Sequence, residues 1–239
     1  MTDKATTLAH LARALAGRDR ELPLPLRLCQ SCAEILDADG AAITLAYTLP
    51  QRVTLCATDD VMARLEDLQE VLGQGPGPQA YATGKAVIAR LDGPDESGSW
   101  AMFAQAASDS LGFAGAIYSL PIRPEAEVLG VLTLYQSTPR PLDRGIDAAQ
   151  FLADALGAAL LRDPQSHSEL SPGPWASRAA VHQATGMVVA QLRISPADAL
   201  ALLRAHAFAH DTSLDLIAAQ VVRRELNFSA VDSDRNERS

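Results

Sequence analysis

HQATGMVVAQLRISPADALALLRAHAFAHDTSLDLIAAQVV, residues 182–222, decides how the rest of the chain is read. It begins inside a helix predicted over Ser177 to Leu192. There Val181, Ala184, Val188 and Leu192 recur at three- and four-residue spacing along one side. Arg178, His182, Gln183, Gly186 and Arg193 fall on the opposite half. The second helix has a clear start: Ser195 is placed to cap it, Pro196 fits the first helical position, and Asp198 follows three residues after the cap. It runs towards His210 with Ala199, Leu203 and Ala207 facing inward, while Ala197, Ala201, Ala205 and Ala209 form a strip of small residues. A third helix, starting at Thr212 or Ser213, buries Leu214, Ile217, Ala218 and Val221. Each helix has one apolar side, so the three together make an all-α unit over residues 175–228, followed by a polar, frayed tail over 229–239.

Upstream, DPQSHSELSPGP (Asp163–Pro174) holds three prolines, three serines and a glycine without apolar periodicity, and reads as a linker over 163–174. Residues 1–162 read differently, as a mixed region. A short amphipathic helix occupies the amino-terminus, and Leu24 to Leu36 is helical by period. AAITLAY (Ala41–Tyr47) and RVTLCA (Arg52–Ala57) are strands of a hairpin across Leu49-Pro50. A helix from Asp59 to Leu72 stops at Gly73, Ala86 to Ala89 is a short strand, and Trp100 to Leu111 is a helix closed by Gly112. AGAIYSLPI (Ala114–Ile122) and EVLGVLTLY (Glu127–Tyr135) are the most apolar strands and are expected at the centre of an antiparallel sheet. The region ends in a helix from Asp143 to Arg162. Ile146, Ala149, Leu152, Leu156, Ala159 and Leu160 form one apolar stripe on it, and Phe151, Ala155 and Ala158 a second side suited to a partner helix. The expected class is α+β: an antiparallel sheet flanked by helices, followed by an all-α three-helix unit.

Composition narrows the function. At 48% apolar and 21% charged residues the chain is an ordinary folded protein, and no run approaches the roughly 20 apolar residues that span a bilayer. Residues 1–174 carry 13 basic and 22 acidic side chains, whereas 175–228 carry 5 and 4. Charge therefore argues against nucleic-acid binding by most of the chain and leaves the last three helices as the candidate. Cys29, Cys32 and Cys56 cannot all pair and fit a reducing compartment, so a cytoplasmic location is expected.

Residues 182–222 resemble ANTAR domains. The resemblance is carried by Ala184, Gly186 and Met187 on the first helix, and by Ser195, Asp198 and Ala199 at the start of the second. Leu203, Arg204 and Ala207 follow, and Ile217 with Ala218 on the third. A lysine common in the family between the alanine and the glycine is here Thr185. The first region resembles GAF domains, in particular those fused to ANTAR domains in actinobacteria. It does so through LGQGPGPQAYATGKAV (Leu72–Val87), Trp100 with Phe103, SLPI (Ser119–Ile122) and LGVLTLY (Leu129–Tyr135). Many relatives read Gly-Glu-Gly-Pro-Cys where this chain has Gly73-Gln74-Gly75-Pro76-Gly77, so thiol sensing or covalent chromophore attachment at that loop is excluded.

The resemblance implies a signal-responsive transcription antiterminator. It would act as a homodimer whose ANTAR domains hold tandem stem-loops of a leader transcript and so prevent a terminator from forming. Arg178, Arg193 and Arg204 are the candidate phosphate contacts; His182, Gln183 and Thr185 are candidate contacts to unpaired bases or sugars. Gly186, costly inside a helix, implies close backbone approach by another helix or by RNA. An unknown small molecule is a possible ligand of the sensor, with Tyr47, Trp100, Phe103 and Tyr118 as candidate pocket aromatics. Two other classes compete: a ligand-gated DNA-binding regulator, and a GAF-type redox enzyme using the cysteines on a small metabolite. No catalytic constellation, cofactor or metal is expected. His206 and His210 have ligand spacing but no third partner, Cys29 and Cys32 sit mid-helix on an apolar stripe, and Gly84-Lys85 lacks the surroundings of a phosphate loop.

Overall fold

A computed structural model describes residues 4–48, 51–91, 100–111, 115–125, 127–163 and 174–229. The side chains of 46–48, 51–52, 110–111 and 174–179 are outside the description, as are most of the expected linker and tail. The chain divides into two compact units.

The first unit is built on five strands: β1 (Gly40–Thr48), β2 (Gln51–Ala57), β3 (Val87–Arg90), β4 (Ala116–Ile122) and β5 (Gly130–Gln136). All pairings are antiparallel and the order is β2-β1-β5-β4-β3, so β5 is the central strand. Residues alternate between the two faces. Ala41, Ile43, Leu45, Ala116, Tyr118, Leu120, Ile122, Leu132 and Leu134 join a core made with α2 (Leu24–Leu36) and α6 (Gly145–Arg162). Ala42, Thr44, Ile117, Ser119 and Thr133 point to the other face, which α3 (Asp60–Leu72) covers through a bond from Thr44 to Glu66. α3 starts where Asp59 accepts from the Met62 N–H and ends at Gly73 in the left-handed region, as glycine permits.

Two helices complete this unit beside α5 (Ala101–Leu111). α1 (Lys4–Ala16) packs on α2 and α6, with the Lys4 ammonium 5.4 Å from the centre of the Phe151 ring. α4 (Pro76–Thr83) was not expected. PGPQAYAT reads as a loop, yet Pro76 takes the first helical position and Gly84 closes the helix at φ 62°.

α6 departs from its expected stripe. Its buried residues are Ala148, Ala149, Leu152, Ala153, Leu156, Gly157 and Leu160, while Ile146 is 36% exposed. The small residues set this face: a Cβ on Gly157 would lie 2.4 Å from Ile122 Cγ2, so the helix sits directly on β4. Phe151, Ala155, Ala158 and Ala159 remain half-buried.

The second unit consists of α7 (Pro174–Leu192), α8 (Pro196–Ala209) and α9 (Leu214–Val222). Its core holds Val181, Ala184, Val188, Ala199, Leu203, Ala207, Leu214, Ile217, Ala218 and Val221, as the periodicity predicts. Phe228 adds to it, its N–H donating to Gln191 Oε1 at 3.1 Å. α7 and α8 meet at 107°. The turn between them depends on Arg193, whose φ of 55° bends the chain while its N–H still closes on Val189 O at 2.8 Å. The Ser195 hydroxyl then accepts from the Asp198 N–H and Ser213 does the same for Leu216, so both following helices begin on a side-chain cap. Among the described residues no single helix is long and apolar enough to cross a membrane.

Candidate nucleic-acid interface and sensor chamber

The second unit has one conspicuous open surface. On α7, His182, Gln183, Gly186 and Ala190 are all exposed, opposite the buried Val181, Ala184 and Val188. Positions i, i+4 and i+8 form a ridge along the helix, so the polar half expected from the sequence is available to a partner. Thr185 stands at its border, its hydroxyl donating to Val181 O at 2.7 Å. Arg193, at the end of the helix, is exposed, and Arg204 on α8 is half-buried. Arg178 lies on α7, but its side chain is outside the described residues.

Gly186 corrects one expectation. A Cβ built there meets nothing within 4 Å among the described residues, so none of the described helices presses on it.

In the first unit Tyr118 lies apart from Trp100 and Phe103, which do not join its core cluster. Tyr118 faces the α2/α6 core and donates its hydroxyl to Arg140 O at 2.7 Å, and strand alternation fixes it there. Phe103 is fully buried on α5, Trp100 is buried just before that helix, and the Tyr47 side chain is outside the described residues.

The chemistry of interest is on the other face of the sheet. Thr44 Oγ1 donates to Glu66 Oε2 at 2.8 Å, and Gln69 Nε2 donates to Glu66 Oε1 at 3.0 Å. Gln69 Oε1 in turn accepts from the Gly77 N–H at 2.7 Å. A Cβ on Gly75 (φ 138°) or Gly77 would lie 2.8 Å from the Gln69 side chain, which explains both glycines of the loop. Next to this network Ser119 and Thr133, paired across β4 and β5, are fully buried, and neither hydroxyl has a hydrogen-bond partner among the described residues. Buried hydroxyls ordinarily find partners, so two adjacent exceptions inside a fold are unusual. Polar residues inside the two most apolar strands were the signal that could have identified them.

The GAF domain family model matches residues 26–160 and the ANTAR domain family model matches 175–222. The chain belongs to the GAF–ANTAR family. α1 lies ahead of the matched GAF region. Among solved structures, a domain of a two-component sensor histidine kinase protein from Sinorhizobium meliloti 1021 is 18% identical, with a TM-score of 0.45, over 68% of this chain and 99% of that one. The GAF-B domain of DevS from Mycobacterium smegmatis is 17% identical, with a TM-score of 0.38, over 57% and 89%. No curated protein matches the chain. A GAF domain is a signal-sensing module and an ANTAR domain an RNA-binding antitermination module, so the GAF–ANTAR chain is built as a transcription regulator.

The ANTAR domain carries a pH-dependent contact. His206 stacks on His210, ring centroids 4.1 Å apart, and meets the edge of Phe228 at 5.3 Å. Burial first, and the neighbouring His210 second, hold His206 below the ordinary histidine range. A lowered histidine value means that stability is present above the ordinary range and lost as pH falls through the folded-state value. Protection factors of α8 and α9 in the full chain, corrected for the slowing of intrinsic exchange at lower pH, should therefore fall as pH drops below about 6.5. Replacing His206 by glutamine should flatten that dependence.

Proposed function

We propose that this GAF–ANTAR protein is a signal-responsive antiterminator acting as a homodimer, each ANTAR domain holding one of two stem-loops in a leader transcript. The observation that carries this reading is the exposed side of α7 from His182 to Ala190, with His182 and Gln183 as its polar side chains, set against an apolar core on the opposite side of the same helix. Exposed side chains on α8 are alanines, Pro196, Leu202 and Phe208 beside Asp198, which suits a DNA major groove poorly.

Two further features support the reading. Exposed Leu8 on α1, with Ile146 and the 45%-exposed Leu161 on α6, offers apolar surface for a second copy, and pairing two weakly basic modules raises their joint affinity through effective concentration. The unpartnered Ser119 and Thr133 hydroxyls offer a small-molecule signal a place to bind. The cysteines favour a non-enzymatic role. Burial pushes the Cys29 thiol up and that of Cys32 up to about 12, keeping both protonated at neutral pH, where a nucleophile needs the thiolate.

A mobility-shift assay with a two-hairpin RNA and a duplex DNA competitor tests the proposal. The RNA should shift with a shallow salt dependence, because few cations are available to neutralise phosphates. Either displacement by duplex DNA at equal concentration or a steep salt slope would count against it. A monomer by sedimentation, with the RNA still bound, would remove the dimer.

A further inference from the structure

On the opposite side of the sheet from Ser119 and Thr133, a cavity of about 480 Å³ opens between α1, α2 and the head of α6. His10, Arg13, Arg18, Glu34, Asp143 and Arg144 line it. Three arginines and a histidine facing two carboxylates is an unusual grouping in a region where acidic side chains outnumber basic ones by 22 to 13.

The cations are incompletely answered. Arg18 binds the Glu34 carboxylate and donates to Gln30 O at 3.1 Å, but its Nε is shut off from solvent with no acceptor. Arg144 Nε and His10 Nδ1 are in the same condition, and Arg13 has no acidic partner among the described residues. Buried N–H groups without acceptors are rare enough to require an explanation. Arg144 is also held at φ 66°, a conformation that side chains rarely adopt, and its own side chain makes no capping hydrogen bond to α6.

We propose that this cavity binds a phosphate-bearing small molecule. Several oxygens on one dianionic group would accept from the Arg13 and Arg144 guanidinium groups, and would sit at the positive end of α6. A volume of about 480 Å³ suits a metabolite-sized ligand. Such a ligand would tie α1 to the head of α6, at a position separate from Ser119 and Thr133 on the other face. The inference stands without the RNA-binding reading.

The test uses the full chain and inorganic pyrophosphate in metal-free buffer, with chloride adjusted to constant ionic strength. Wild-type protein should show a saturable rise in melting temperature. Arg144→Gly suits the left-handed position and removes the cation, so it should melt at or above wild type in chloride yet need about tenfold more pyrophosphate for the same response. Arg13→Gln should weaken the response as well, whereas Arg20→Gln, at an exposed arginine outside the cavity, should respond as wild type. No saturable rise for wild type overturns the site, and so does an unchanged response in Arg144→Gly or an equal loss in Arg20→Gln. Affinity for the two-hairpin RNA, measured in parallel, should not change in Arg144→Gly, which separates this site from the ANTAR surface.

Discussion

Replacing Gly186 by alanine should stabilise the ANTAR domain by about 1 kcal/mol and at the same time weaken its hold on a two-hairpin RNA by roughly tenfold. A mid-helix glycine carries an entropic cost that alanine removes, and the added methyl group has open space around it. No contact among the described residues explains the glycine, which favours an advantage in what approaches that side of the helix. A nucleic-acid backbone lying against the ridge of His182, Gln183 and Ala190 would be held off by a Cβ at that point. Gly186→Glu should sharpen the contrast, because glutamate also favours the helix while placing negative charge against phosphate. Hydrogen-exchange protection of α7 reports the stability and a mobility shift reports the affinity. Unaltered RNA binding in both variants would remove Gly186 from the interface and with it the main argument for this ridge.

The second large effect concerns the sheet. Gly130→Ala is expected to destabilise the GAF domain by about 3 kcal/mol, because the new methyl group cannot be accommodated by rotating a side chain. It would lie 2.3 Å from Thr44 O and 3.0 Å from Leu45 Cα, both backbone atoms of the paired strand β1. Relief requires β1 and β5 to separate at the centre of the sheet. Gly84→Ala provides the comparison: its Cβ would touch only Val128 Cγ2 at 3.6 Å, leaving the left-handed backbone cost of about 1–2 kcal/mol. Denaturant unfolding followed by circular dichroism should rank the two variants in that order. Equal midpoints would mean that β1 and β5 are not paired in this register.

How far the sequence could be read depended on whether a signal was local. The Ser195 cap with Pro196 and Asp198, the stop at Gly73 and the apolar stripes of the last three helices are each written within a few residues, and the structure reproduces them. The placing of β5 between β1 and β4 comes from pairings some ninety residues apart in sequence, which no local pattern encodes. α4 was missed because Pro and Gly are loop residues on average, although Pro76 at a helix start and Gly84 just past its end is the very asymmetry that marks a short helix. Tyr118 was grouped with Trp100 and Phe103 by residue type; counting strand phase from Leu120 and Ile122 would have placed it on the α2/α6 face. The stripe on α6 went astray at Ile146 because bulk was read as burial, while Ala153 and Gly157 are what the sheet accepts. The 3.1 Å approach of Cys29 and Cys56 joins a helix to a strand and had no sequence signal at all.

The left-handed turns carry an implication for directed evolution. Arg144, Arg193 and Arg224 all occupy backbone positions where glycine or asparagine would be more comfortable. A library screened only for heat tolerance would drift towards those smaller residues and shed three positive charges in doing so. Hardier descendants would then be poorer at whatever those guanidinium groups are kept for, so survival and occupancy by an anionic partner need to be scored together in any such campaign.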